Sequence, residues 1–182
     1  PAPRGAERNL SSMRIVRSGP DDAPIVRDIY NELIASSAAI YEYEPRTLET
    51  ILDWYAAKES KGLPVYGAYD DGGAFLGFAT YGPFRERPAY RYTVEHSVYV
   101  RSDRRGAGVG TALMRYLIDE ARGRGYHAMI GGIDSGNEGS LRLHERMGFA
   151  EAGRILQAGW KFGRWLDLVF MELVLDGPDA VR

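Results

Sequence analysis

Val94-Glu95-His96-Ser97-Val98-Tyr99-Val100 runs into Arg101-Ser102-Asp103-Arg104-Arg105, then Gly106-Ala107-Gly108-Val109-Gly110-Thr111, then Ala112-Leu113-Met114-Arg115-Tyr116-Leu117. The β-branched and aromatic residues of the first block suit a strand. The alternating glycines Gly106, Gly108 and Gly110 cannot form a stable helix interior. They can bare backbone N–H groups at a helix start, where the dipole and the unpaired donors attract phosphate. The stretch reads as a strand carrying a carboxylate and an imidazole, then a basic turn, an anion cradle and a helix.

Downstream, Val109, Ala112, Leu113, Tyr116, Leu117 and Ala121 fall on one helical face, and Gly123 and Gly125 stop that helix. His127 to Ile133 predicts a buried strand. Strand, helix, strand implies a right-handed crossover and a parallel pair. Asp134 to Asn137 predicts a turn and Glu138 to Met147 a short helix ended by Gly148. Arg154 to Phe162 and Arg164 to Leu175 predict a closing antiparallel hairpin around Gly163.

Upstream, Met13 to Ser18 predicts a strand. A helix capped at Asp21 or Asp22, with Pro24 in its first turn, is expected to run to about Ala35. Thr47 can cap a second helix reaching about Glu59. Val65 to Tyr69 and Ala74 to Tyr81 predict a hairpin about Asp70-Asp71-Gly72-Gly73. The apolar-aromatic segment Ser36 to Pro45 is either a lid over a substrate or a packed connection. Gly82 to Arg91 is irregular; its arginines are either solvated surface or a wall that binds carboxylate or phosphate. The fold class is α/β (α+β): one domain over residues 13–175, with a mixed central sheet, a parallel strand pair in its middle and flanking helices. Residues 1–12 are expected to be a disordered leader and 176–182 a tail.

The bulk numbers agree with a single globular domain. The chain has 182 residues, of which 45% are hydrophobic, within the ordinary range. A net charge of -2 does not favour a nucleic-acid partner. There is no cysteine, which excludes disulfides, thiolate catalysis and cysteine metal sites. No apolar run reaches membrane-spanning length, and Pro1 to Ser12 lacks the apolar core of a secretion signal. A cytoplasmic location is expected, with no metal and no membrane partner.

Common nucleotide fingerprints fail on the glycine loop. A Gly-x-Gly-x-x-Gly pattern from Gly106 needs glycine where Thr111 stands, and from Gly108 where Leu113 stands. A phosphate-binding loop of the Gly-Lys-Ser/Thr type would need a lysine, and none is near. Arg105-Gly106-Ala107-Gly108-Val109-Gly110 instead resembles the Arg/Gln-x-x-Gly-x-Gly/Ala signature of the GNAT superfamily of N-acetyltransferases. The element order around it is that superfamily's order. Thr93 to Val100, Arg142-Leu143-His144-Glu145 and Lys161 to Asp167 resemble the phosphinothricin acetyltransferase subfamily, which includes methionine sulfoximine and methionine sulfone acetyltransferases.

The resemblance implies acetyl-CoA as co-substrate. It implies a pyrophosphate on the amides of Gly106, Ala107, Gly108, Val109, Gly110 and Thr111, with Arg104 or Arg105 beside it. It implies a pantetheine arm along Val98, Tyr99 and Val100, and a cofactor contact from Asn137. Glu95 becomes the candidate base: a carboxylate in an apolar strand is costly unless burial raises its pKa, which suits it to take an ammonium proton. The bland alternative is a glutamate on the sheet surface. His144 stands where many superfamily members carry a tyrosine as general acid; a satisfied core histidine is the alternative, and Tyr99 and Tyr90 are substitute acids. Phe84, Arg85, Arg87, Glu95, His96 and Ser97 are the implied amine-substrate residues. Alternation puts His96 opposite Glu95 if the strand is regular. Phe84 replaces a tryptophan common in the family. Trp160, Trp165 and Tyr41 either complete the pocket or fill core and a dimer interface.

The expected activity is direct acetyl transfer to the α-amino group of a small amino acid analogue such as phosphinothricin, methionine sulfoximine or methionine sulfone. The rivals are acetylation of a protein N-terminus or another small amine, and a non-catalytic acyl-CoA-binding module. Glu95 argues against the last. A homodimer with its C-terminal strands near the interface is implied by resemblance.

Overall fold

A computed structural model describes residues 13–175, so the expected leader and tail lie outside the described residues. Strand β1 (Arg14–Arg17) leads to α1 (Ala23–Ser36) and α2 (Leu48–Ser60). Then come β2 (Val65–Tyr69), β3 (Phe75–Pro83), β4 (Thr93–Val100), α3 (Val109–Gly123), β5 (Ala128–Asp134), α4 (Glu138–Arg146), β6 (Ala150–Lys161) and β7 (Arg164–Val174). The strands form one sheet in the order β1-β2-β3-β4-β5-β7-β6. All neighbours are antiparallel except β4 and β5. This is the mixed sheet with a central parallel pair that the strand-loop-helix-strand stretch predicts.

Two apolar layers sandwich the sheet. Val109, Leu113, Met114, Leu117 and Ala121 of α3 pack on one face with Val94, Met129, Val169 and Met171. Ile29, Tyr30, Leu33 and Ile34 of α1 and Ile51 and Tyr55 of α2 pack on the other, against Val65, Phe75 and Phe78. Leu117 is fully buried, so Leu117→Ala is worth about 2–5 kcal/mol of stability. Alternation along β4 divides its side chains between these layers: Val98 and Val100 join the α3 layer, Tyr99 the α1 layer.

Local chemistry sets several boundaries. Thr47 caps α2, its side chain accepting from the Thr50 N–H at 3.1 Å. β6 begins at Ala150 rather than near Arg154, and its pairing with β7 is irregular between Glu151 and Gly153 and between Ile155 and Gly159. These two breaks hide the strand period from the sequence. The segment after α1 is a packed connection, not a free lid. Lys161 is buried and its Nζ donates to the Ser37 and Ile40 carbonyls, both at 2.8 Å. The Tyr41 hydroxyl donates to Asp134 at 3.1 Å, and that of Tyr43 to the Trp160 carbonyl.

Candidate active site

Parallel pairing of β4 with β5 covers Thr93, Val94 and Glu95, opposite Ala128, Met129 and Ile130, and goes no further. Beyond it the strands part. On its other edge β4 stays paired to β3 as far as Val100. The β5-facing edge from His96 to Val100 therefore has backbone groups without a sheet partner, a row that an extended amide-bearing arm could join as an added strand.

A cleft of about 880 Å³ opens at this parting. His96, Ser97, Val98, Tyr99 and Val100 form one side, and Asn137, Ser140, Leu143 and His144 of the α4 region another. Gly106, Gly108, Gly110 and Thr111 line its end, and Ser37 to Ala39 of the packed connection close a flank. Gly106 and Gly108 have φ of +74° and +82°, left-handed values that favour glycine. Gly108 is the residue before α3 and has no side-chain cap, so the first N–H groups of the helix are left for a ligand. Arg104, Arg105, Arg142, Arg146 and Arg164 also line the cleft. Arg105 is partly engaged by Glu32 at 3.3 Å. Asn137 caps α4, its Oδ1 accepting from the Ser140 N–H at 3.1 Å, which leaves its Nδ2 hydrogens available to a ligand. Val109 does not line the cleft: its side chain is buried in the core. Ala107 is likewise absent from the lining.

The two faces of β4 carry different chemistry. Gly131 and Gly132, adjacent in β5, show this directly. A Cβ on Gly131 would meet His144 Nε2 at 2.8 Å and His96 Nε2 at 2.9 Å, whereas one on Gly132 would meet Glu95 Oε1 at 3.3 Å. Glu95 therefore lies on the α1/α2 face, beside Leu168 and Phe170. Burial pushes its carboxyl above the usual range, and Arg85 pulls it back down. Arg85 lies 4.2 Å over the Phe84 ring, and Phe84 packs edge-on to Phe170 and Tyr90. That face gathers Glu95, Arg85 and Phe84 next to the parting of the strands, with Ser97 and Tyr99 following on the same side of β4. Burial raises the Tyr99 phenol, so it stays a donor at neutral pH. Arg87 and Tyr90 are exposed and do not line the cleft.

His96 and His144 occupy the opposite, α3/α4 face, and both are buried. This is where a regular strand puts His96, away from the acceptor-facing group in which the resemblance places it. The rings lie 5.0 Å apart between centroids and meet through their Nε2 atoms at 3.1 Å. Phe149 packs edge-on to both. Burial holds both imidazoles below the ordinary histidine value, and His144 lowers His96 further. Trp160 and Trp165 pack on one another, half exposed, away from cleft and core.

An acetyltransferase (GNAT) family model matches residues 26–149. The chain belongs to this family. It is 45% identical over 165 residues to the L-methionine sulfoximine/L-methionine sulfone acetyltransferase of Pseudomonas paraeruginosa, covering 91% of this chain and 96% of that protein. An acetyltransferase of Salmonella typhimurium, solved with its cofactor acetyl-CoA, superposes with a TM-score of 0.89 at 41% identity, over 94% of this chain and 99% of that one. A ribosomal-protein-alanine N-acetyltransferase of Brucella melitensis superposes at 0.86 with 41% identity, over 89% and 99%. The enzyme is thus an N-acetyltransferase with the expected architecture. The glycine pair of β5, the contact between the two histidines and the buried Lys161 were not anticipated. Glycine inside a strand is itself a sign of close approach, so Gly131-Gly132 was the available clue.

Proposed function

We propose that this enzyme uses acetyl-CoA to acetylate the α-amino group of a small amino acid analogue, of the methionine sulfoximine, methionine sulfone or phosphinothricin type, by direct transfer in a ternary complex. The observation that carries the reading is the parting of β4 and β5 just after Glu95, which opens a basic, glycine-ended cleft beside that carboxylate. In this reading the amides of Gly106 to Thr111, with Arg104 and Arg105, hold the pyrophosphate. The free edge of Val98 to Val100 holds the pantetheine arm and Asn137 contacts it. The bound co-substrate supplies the acetyl thioester.

Glu95 takes the ammonium proton, directly or through water. Its environment supports this role, because a carboxyl raised by burial accepts a proton more readily near neutral pH. Arg85 supplies positive charge for the substrate carboxylate, and Phe84 and Ser97 complete the wall. His144 serves the thiol side, with His96 behind it. Among the described residues no group of side chains could hold a metal ion, and none is needed for the proton transfers named here.

Acetylation of a protein N-terminus is the second reading, favoured by the likeness to the ribosomal-protein-alanine acetyltransferase. A thiol-release assay with acetyl-CoA separates the two. The panel holds methionine sulfoximine, methionine sulfone, phosphinothricin and an alanine-initiated peptide. Turnover on the peptide alone would reverse the assignment.

The enzyme is also proposed to be a cytoplasmic homodimer. The β6–β7 hairpin supports dimerisation: it exposes Ile155, Leu156, Trp160, Phe162 and Trp165, a large apolar cover for one arm of a monomer. Equilibrium sedimentation that finds only monomer would remove this part. No helix among the described residues is long and apolar enough to cross a membrane.

A further inference from the structure

The proton inventory of the histidine pair follows from its partners. The Ser140 carbonyl lies 2.7 Å from His144 Nδ1. A carbonyl only accepts, so Nδ1 carries the hydrogen and Nε2 of neutral His144 is a bare lone pair. That lone pair is 3.1 Å from His96 Nε2, so His96 must be the donor there and its own Nδ1 is bare. His96 Nδ1 is buried and has no hydrogen-bond partner. An orphaned buried acceptor is a cost that folding normally avoids. Gly131 is the residue that makes room for the contact, since any Cβ there would strike both Nε2 atoms. The arrangement has a chemical consequence: in its resting form His144 has no proton on Nε2 to give.

We infer that His96 is a positioning residue that converts His144 between proton acceptor and proton donor. A proton passed to His96 Nδ1 from water in the cleft that His96 lines makes a third N–H in the pair. The hydrogen already on His96 Nε2 then crosses to His144 Nε2, and the bond between the rings reverses direction. His144 is left with hydrogens on both nitrogens and His96 with one, on Nδ1; the pair has gained one proton and one positive charge. The orphaned Nδ1 is what permits this, because no partner there holds His96 in one tautomer. This inference rests on the reading that places His144 at the thiol side of the site.

The test uses the full-length enzyme without co-substrate, with 15N-labelled histidine. At neutral pH the wild-type spectrum should show His144 protonated on Nδ1 only and His96 on Nε2 only. His96→Leu removes both the donor and the acceptor facing His144. Its expected effect is a lower protonation midpoint for His144, since the charged form loses the stronger, charge-assisted bond. Admitting water to a loosened site would move the midpoint up instead, so the sign separates positioning from packing. Arg104, Arg105, Arg142, Arg146, Arg164 and Asp134, the other charged groups lining the cleft, are unchanged in the variant. His96→Gln keeps an amide that can donate or accept, and should restore the midpoint and most of kcat, with KM for acetyl-CoA unchanged. A wild-type His144 protonated on Nε2, or a midpoint in His96→Leu at or above wild type, overturns the inference. If His96→Leu does not fold, the wild-type tautomers and the His96→Gln midpoint decide. His144→Ala tests the underlying reading separately: full activity there would remove His144 from the reaction while leaving the tautomers as found.

Discussion

On one face of β4 stands Glu95, half-buried, with the exposed Arg85 as its counter-charge. On the other stands His96, buried at the wall of the cleft, with a second neutral imidazole as its polar neighbour and one nitrogen with no partner. The two residues are adjacent in sequence, and the pleat alone separates them. The charged face keeps a group that can lose or gain a proton against solvent. The buried face keeps a proton on a track between two rings. Acetyl transfer to an amine needs one proton removed at nitrogen and one delivered at sulfur. A strand presenting a different titratable group on each face can serve both without the groups neutralising one another.

The strongest way to break this division is Glu95→Gln, which keeps the shape and removes the base. Loss of a positioned general base costs about 10²–10⁴ in rate, so kcat should fall within that range near neutral pH. Binding of acetyl-CoA, measured by calorimetry, should not change, because Glu95 is not among the residues that line the cleft. A variant that weakens cofactor binding as much as turnover would show that the two faces are not independent.

Next in size is a paired substitution at adjacent positions of β5. Gly131→Ala sets a Cβ at 2.8 and 2.9 Å from the two Nε2 atoms. Real Cβ atoms do not come that close, so the rings must shift. The expected cost is about 1–3 kcal/mol of stability and, from displaced histidines, about ten- to a hundredfold in kcat. Gly132→Ala meets Glu95 Oε1 at 3.3 Å, and a carboxylate on a flexible stem can give way. It should change stability by no more than about 0.5 kcal/mol. Equal losses from the two alanines, in thermal melts and in kcat, would erase the asymmetry between the two faces.

The division also marks what was legible in the sequence. The strand period put Glu95 and His96 on opposite faces, and the alternating glycines after Val100 located the cleft and its helix. Those signals are local, carried by period two and by glycine's conformational freedom. The contact between His96 and His144 joins residues 48 apart in the chain, and no local pattern encodes it. Lys161 is a similar case: a lysine reads as surface, yet it is buried because two carbonyls of the connection after α1 receive its hydrogens. The β6–β7 arm was misplaced at its start for a different reason, since its irregular register breaks the period that sequence reading depends on. Arg85 was expected from charge and position as a substrate partner; its influence on Glu95 emerges only when the loop after β3 is folded back over the sheet.

That influence supports the smallest effect and the sharpest sign. Arg85 lowers the Glu95 carboxyl, against burial that raises it. Glu95 works as a base only when ionised, so the acidic limb of kcat/KM should rise as pH climbs through its pKa. Arg85→Ala removes the lowering influence, the carboxyl titrates at higher pH, and the limb moves up. An opposite charge within reach shifts a carboxyl by about 1–3 units when both are enclosed. Arg85 is exposed, so screening should keep the displacement small and shrink it further as salt is added. The substrate's own ammonium titrates identically against both enzymes, so the difference between the two profiles isolates the enzyme group. KM for the amine should rise in the same variant if Arg85 also meets the substrate carboxylate, but a binding loss alone lowers the whole profile without moving its limb. A limb that stays in place or shifts toward acid would mean that the group titrating there is not Glu95, and the charged face would lose its base.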